Sequence, residues 1–344
     1  MDRSVVTLNR FIVEQERSFP EATGAFSNIL QDLTLAAKLI HRAVNKAGLV
    51  DVLGETGAEN VHGERVRKLD EYAHDVMVAA MDHGGHLCVM GSEESEGLVP
   101  IPERFPRGDY VLLFDPLDGS GNIDANISIG TIFSLHERRT DPAGNGAGTM
   151  EDCLQPGRRQ VCAGYVLYGS STILVYSTGD GVHGFTLDPS IGEFVLSHPD
   201  LALPDPGQRI YSVNEGHWSK WSDRQRALVR HLKGEREDGR GGFNHRYVGS
   251  LVADFHRTLL YGGIFMYPAN RSNPSGKLRL LYEAAPLALL AEEAGGAATD
   301  GSEPILDLEP EALHQRTPLF IGAREHVELA GAYLAGEAGA AREA

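Results

Sequence analysis

The stretch Asp115-Pro116-Leu117-Asp118-Gly119-Ser120-Gly121-Asn122-Ile123-Asp124 gathers three carboxylates, two glycines and a serine within ten residues. It leaves the apolar run 110–114, which reads as a strand, so the acids stand at a strand exit. Pro116 sets the turn, Asp115 and Asp118 can converge on one point, and the backbone N–H groups of 119–121 can cradle a phosphate. Carboxylates beside a phosphate cradle repel their ligand unless a divalent cation lies between them. Mg²⁺ suits that gap, because it takes oxygen ligands and is commonly shared between one or two carboxylates and substrate phosphates. A second acidic pair, Glu93-Glu94, leaves another apolar run, 86–90. Acids at two strand ends are the raw material of a two- or three-metal site, where cations polarise a phosphoryl group and acidify a water.

An isolated Asp-Pro-x-Asp-Gly reads equally as a solvated turn; the combination with Glu93-Glu94 favours chemistry. The haloacid-dehalogenase type of phosphatase spaces its acids Asp-x-Asp-Gly, whereas Pro116 and Leu117 intervene here. HExxH, GxxxxGK[ST] and GxSxG patterns are absent, which removes zinc-protease, P-loop and hydrolase-elbow readings.

The elements that must carry these acids alternate between helix and strand. Apolar residues at Phe26, Ile29, Leu30, Leu33, Ala37, Ile40 and Val44 predict a helix over 25–47, capped by Thr23 and stopped by Gly48. Val66, Leu69, Ala73, Val76, Met77 and Ala80 predict a second helix ending at Gly84-Gly85, followed by a buried strand over 86–90. Strands are expected over 110–114, 127–135, 161–167, 173–177 and 184–187. The stretch 198–208, with Pro199, Pro204 and Pro206, reads as a linker. It divides an N-terminal domain (1–200) from a C-terminal one (201–335), with a frayed tail over 336–344. Beyond the linker come a strand (209–213), a helix (219–232), a Gly-rich loop (234–242), a helix (250–260), a strand (264–267) and a strand-then-helix unit (277–294).

With 344 residues, 42% of them hydrophobic, the chain can build one large or two packed domains. Its formal charge of -17 opposes a nucleic-acid or anionic-membrane surface as partner and suits cation binding. Cys88, Cys153 and Cys162 form no CxxC pair, so neither a zinc knuckle nor a secreted disulfide framework is indicated. No signal peptide or membrane span is read, and a cytoplasmic location is expected.

The motifs SEE, FDPLDGSGNID, NEG, RYVGSLVADFHRTLLYGGIFMYPAN and GKLRLLYE closely resemble class I fructose-1,6-bisphosphatase, from about Thr23 to Gly322. The resemblance implies a layered α-β-α-β-α sandwich of the sugar-phosphatase type, an α/β fold of two packed domains. It also implies hydrolysis of the 1-phosphate of fructose 1,6-bisphosphate by Mg²⁺-activated water, with Mn²⁺ as a substitute, in gluconeogenesis or the Calvin cycle. Carried over by position, Glu93, Asp115, Asp118 and Glu283 are metal ligands, Leu117 adds its carbonyl, and Asp70 with Glu94 orients and deprotonates the attacking water. Without the family, Asp70 would read as a surface acid paired with Lys68 or Arg67. Asp118, Gly119, Ser120 and Gly121 fall at the reacting phosphate. Asn214, Tyr247, Tyr267, Lys277, Leu278 and Arg279 fall at the far phosphate and sugar. Arg246 corresponds to an arginine that reaches into a neighbouring subunit, which implies a homo-oligomer, usually a tetramer. The loop 53–63 reads as a mobile flap over the metals. Rival readings are a sedoheptulose 1,7-bisphosphatase, an inositol-monophosphatase-like enzyme that would not need Tyr247, Lys277 and Arg279, and a catalytically silent phosphosugar-binding regulator.

Several positions depart from the family pattern. Gly121 stands where Ser is usual, His217 where Tyr is common and Leu251 where Met is common. Plastid members carry a redox disulfide in an insertion corresponding to 138–159; here that segment is short and a regulatory disulfide is not expected. Vertebrate-type members bind inhibitory AMP through positions matching Thr23, Gly24, Ala25, Ser27, Asp109 and Tyr110. Ala25 replaces an acid there, and Asp109 replaces a lysine, so a negative charge faces a negative ligand. AMP inhibition is therefore expected to be weak or absent, and half-inhibition by micromolar AMP in a phosphate-release assay would refute this.

Overall fold

Period-two side-chain alternation organises the larger sheet. Its strands Tyr110–Asp118, Ile129–Glu137, Gln160–Tyr168 and Thr172–Ser177 send Leu112, Phe114, Phe133, Leu135, Val166 and Leu174 into one core. Ile132, Tyr165, Ile173 and Val175 point into another, on the opposite face. Because both faces are covered, these strands read as continuous apolar runs. This computed structural model describes residues 5–16, 24–47, 49, 55–59, 65–140, 146–235 and 242–337.

The sheet has eight strands, in the order Glu193–His198, Val182–Asp188, Thr172–Ser177, Gln160–Tyr168, Ile129–Glu137, Tyr110–Asp118, Leu87–Ser92, Val99–Pro100. All neighbours run antiparallel except Leu87–Ser92 and Tyr110–Asp118. That parallel pair brings two strand exits, and the acids following them, to the same edge.

Helices Ala25–Val44 and Lys68–Met81 cover one face. The other packs on helices Leu251–Tyr261 and Ala285–Glu293, which in turn support a second sheet through Phe265, Leu319 and Ile321. This sheet has five strands, in the order Asn244–His245, Ile210–Ser212, Ile264–Tyr267, Leu319–Gly322, Ala297–Thr299. Its far face, carrying Tyr211, Ile264, Met266 and Phe320, is closed by helices Asp223–Leu232 and Arg324–Ala335. The result is the expected layered α-β-α-β-α sandwich, and the proline-rich stretch 198–208 joins the two sheets. Among the described residues no helix is long and apolar enough to cross a membrane.

Several local expectations are corrected. Val66 lies in a strand, Arg65–Arg67, paired antiparallel with Glu55–Glu59, and the helix begins only at Lys68. The helix expected from Ser219 starts at Asp223, after a 3₁₀ turn Glu215–Lys220, because Ser222 and Gln225 close a capping box there. Pairing does not stop at Asp115-Pro116: Asp118 still lies opposite Gly130, with the register irregular between Asp115 and Asp118. Strands Glu193–His198, Ala297–Thr299 and Leu319–Gly322 and the helix Arg324–Ala335 were not anticipated. The proposed cap Thr23, the stop Gly48, most of the Gly-rich loop 234–242, the tail beyond 337 and the flap positions 53–54 and 60–63 lie outside the described residues.

All three cysteines are free and buried. Cys153 packs in one core with Cys88, whereas Cys162 faces the core on the other side of the sheet. Beside Cys153, fully buried Asp152 accepts from the backbone N–H groups of Arg139 (2.9 Å), Thr140 (2.7 Å) and Thr149 (2.7 Å), and from both threonine hydroxyls. Burial opposes ionisation, but these donors outweigh it and hold the carboxyl at about 2, below its ordinary 3.8. A depressed carboxyl stabilises the fold above its unfolded value and loses that contribution as pH falls through its folded one. Asp152→Asn should therefore cost about 2 kcal/mol at neutral pH and little near pH 2, read by urea unfolding at both; an equal loss at the two pH values would show that the charge is immaterial.

Candidate active site

The parallel strand pair exits into a cavity of about 380 Å³. On its floor Asp115, Asp118 and Glu283, all buried, each bring a carboxylate oxygen within 4.8 Å of the others. Asp115 and Asp118 come from the irregular end of Tyr110–Asp118. Glu283 comes from the other half of the chain, on a π-helical turn, Leu280–Ala284, between strand Leu278–Arg279 and helix Ala285–Glu293.

Each carboxylate is tethered through one oxygen to a backbone donor. Asp115 Oδ1 accepts from Leu117 N–H at 2.9 Å, Glu283 Oε2 from Arg279 N–H at 2.5 Å. Asp118 Oδ2 accepts from Val252 N–H at 2.9 Å and from the Ser250 hydroxyl at 3.2 Å, at the N-terminus of the helix 251–261. Burial, then Glu93, Asp118 and Glu283, push Asp115 well above the usual carboxylate range. Burial, Glu93 and Asp118 do the same to Glu283. Asp118 rises only to about 6, because the helix N–H groups and Ser250 offset its burial. A cation among these oxygens replaces mutual repulsion with attraction, so the donor set fits a hard divalent ion.

Glu93 and Glu94, at the exit of Leu87–Ser92, and Asp70, in the first turn of helix Lys68–Met81, line the same cavity. The Glu93 N–H donates to Phe114 O at 3.2 Å, which ties the two strand exits together. Leu117, Gly119, Ser120 and Gly121 form the lip, and Gly119 adopts φ 77°. Tyr247, Tyr267, Lys277, Leu278 and Arg279 line the cavity as well. Arg279 is 2% exposed, and its Nε lies 3.8 Å from Glu93 Oε1, an ion pair too long for a hydrogen bond. Two expected residues do not line the cavity. Asn214 accepts from Gly216 N–H at 3.0 Å and caps the 3₁₀ turn, and Arg246 is exposed and donates to the His245 carbonyl.

Sequence reasoning missed the groups that hold the acids. Ser250 and the Val252 N–H anchor Asp118, and Asp254 accepts from the N–H groups of Val248 and Gly249 to fix the loop before that helix. A serine directly before a helical run was the available signal for such an N-terminus.

An acidic floor, a glycine-rich lip and a basic, tyrosine-lined wall in one crevice of a layered α/β sandwich define a sugar phosphatase. A family model described as fructose-1-6-bisphosphatase, N-terminal domain, matches residues 6–199, and its C-terminal counterpart matches 203–335. The class 1 fructose-1,6-bisphosphatase of Nitratidesulfovibrio vulgaris is 56% identical over 326 residues, covering 94% of this chain and 96% of that protein. That of Oleidesulfovibrio alaskensis is 56% identical over 329 residues, covering 95% and 97%. The crystal structure of Leishmania major fructose-1,6-bisphosphatase in holo form superposes with a TM-score of 0.89 at 40% identity, covering 96% of this chain and 99% of that one. The chain belongs to the class 1 fructose-1,6-bisphosphatase family.

The lip supplies a direct test. A Cβ on Gly119 would lie 3.0 Å from the Ser250 side chain at a φ that disfavours other residues, whereas one on Gly121 meets nothing within 4 Å. Gly119→Ala should lose about 1–3 kcal/mol in urea unfolding, and Gly121→Ser should stay within about 0.5 kcal/mol of the parent. Equal losses would mean that the lip is not built as described.

Proposed function

We propose that Glu93, Asp115, the Leu117 carbonyl, Asp118 and Glu283 hold Mg²⁺, or Mn²⁺ in its place, while this chain hydrolyses the 1-phosphate of fructose 1,6-bisphosphate. The carrying observation is that three buried carboxylates and a wall bearing Lys277 and Arg279 face one cavity. Bound cations would neutralise the phosphate oxygens and acidify a water molecule. The chain's own groups do the rest. Asp70 and Glu94 orient the water and take its proton as its oxygen bonds to phosphorus. The bond from phosphorus to the sugar oxygen breaks, and that oxygen regains a proton to give fructose 6-phosphate and phosphate. Backbone N–H groups at 119–121 and the Ser120 hydroxyl receive the phosphoryl oxygens. Tyr247, Tyr267, Lys277, Leu278 and Arg279, with Asn214, bind the sugar and its second phosphate, whose binding energy positions the reacting end.

Arg246 belongs to the same reading: exposed and outside its own chain's cavity, it serves a neighbouring subunit in a homotetramer. The division near residue 200, an N-terminal half with most of the acids and a C-terminal half with the sugar-phosphate contacts, and a cytoplasmic location complete the proposal.

Phosphate release should vanish in chelator and return with Mg²⁺. Asp118→Asn should lower it by about a thousandfold or more with cooperative unfolding intact, since an amide oxygen can still accept from Ser250 and Val252 but cannot offer the charge. Most activity retained in either case defeats the ligand assignment. Sedoheptulose 1,7-bisphosphate, assayed alongside, reads how strictly the far wall selects the sugar.

A further inference from the structure

A second cavity, of about 520 Å³, opens at the other end of strand Ile129–Glu137. Asp118 of the active site lies opposite Gly130, and the new cavity begins at Glu137, seven residues on. At about 3.4 Å per residue that is roughly 24 Å along the strand, so the two cavities are separate.

Its walls are basic in a chain of formal charge -17. Four arginines line it, at 138, 139, 158 and 159, against one acid, Glu137. Arg158 is already committed: it is paired with Asp307 and reaches Glu292 at 3.1 Å. Arg139 and Arg159 are exposed and have no carboxylate partner among the described residues. Planar guanidinium groups at the mouth of a cavity match phosphate and carboxylate geometry.

Gln160 adds an independent constraint. It is 8% exposed and lines the cavity, and its Nε2 donates to Gly157 O at 2.8 Å and Ala285 O at 3.0 Å. Those two bonds fix which end of the amide is the oxygen. Its Oε1 is buried and accepts no hydrogen bond. A buried acceptor left unmet costs about 1–3 kcal/mol, and an anion alone cannot relieve it, because an anion offers no donor. A ligand suited to this cavity carries negative oxygens for the arginines and a hydroxyl for Gln160.

We propose that this cavity is a second ligand site for a small hydroxyl-bearing oxyanion, a phosphomonoester or a hydroxycarboxylate, held by Arg139 and Arg159 at its charge and by Gln160 Oε1 at its hydroxyl. Calorimetric titration of the full chain with glycerol 3-phosphate and, separately, malate tests it, with saturating fructose 6-phosphate present to fill the catalytic cavity. One equivalent of either should bind per chain, and the one that does identifies the anion as phosphate or carboxylate. The double variant Arg139→Ala, Arg159→Ala should bind it roughly tenfold or more weakly while hydrolysing fructose 1,6-bisphosphate at the parent rate. Arg159→Gln alone serves if circular dichroism shows the double variant unfolded. Methyl phosphate, which has no hydroxyl, should bind more weakly than glycerol 3-phosphate. Failure of both ligands to bind the parent chain, or unchanged binding by the variants, overturns the site, and equally tight methyl phosphate removes Gln160 from it.

Discussion

Three carboxylates that repel one another are held out of water within 4.8 Å, and the rest of the molecule is arranged around making that tolerable. Burial alone would protonate or scatter them. They stay together because each is pinned by a backbone N–H from a rigid element: a strand end for Asp115, a helix N-terminus for Asp118, and the short strand just before the π turn for Glu283. Their convergence needs both halves of the sandwich, since Glu283 and the Val252 donor come from the layer beneath the larger sheet. Folding therefore completes the acidic floor, and no single segment of the chain contains it.

The same layering divides the labour in the cavity. One edge of the eight-stranded sheet contributes acids, because its single parallel pair sends two strand exits the same way. The segments around 247, 267 and 277–279 contribute tyrosines and cations. A ligand negative at both ends can then meet cations at one end, carried on the acids, and fixed side chains at the other. Arg279 stands between these regimes, with its backbone on Glu283 and its guanidinium near Glu93, so the two walls are coupled through one residue.

Much of this was legible in the sequence, and the reasons differ by element. The Asp115–Asp118 and Glu93–Glu94 acids follow apolar runs whose covered faces make them obvious strands. Asp70 was not readable without the family resemblance, because a first-turn acid beside Lys68 looks like a surface pair, and only the fold buries it at 3% exposure. Ser250 and Val252 escaped notice because their contribution is a hydroxyl and a backbone N–H aimed at a residue more than a hundred positions away. The strands 297–299 and 319–322 are too short to show a period, and they exist because the second sheet has ladder positions to fill. The helix starts at Asp223 because Ser222 and Gln225 cap it there, a local signal that the expected start at residue 219 overlooked.

The π turn under Glu283 has a consequence for how this site can vary. A π turn is an α-helix carrying one extra residue, and each α-helical residue advances the side chain by about 100°. Losing a single residue between Leu280 and Ala284 would leave an acceptable, more regular helix and swing the glutamate off the acidic floor. Length is therefore constrained here independently of packing: the neighbours of Glu283 are held by the cores they fill, whereas a one-residue deletion that the helix itself would accept leaves the acidic floor incomplete.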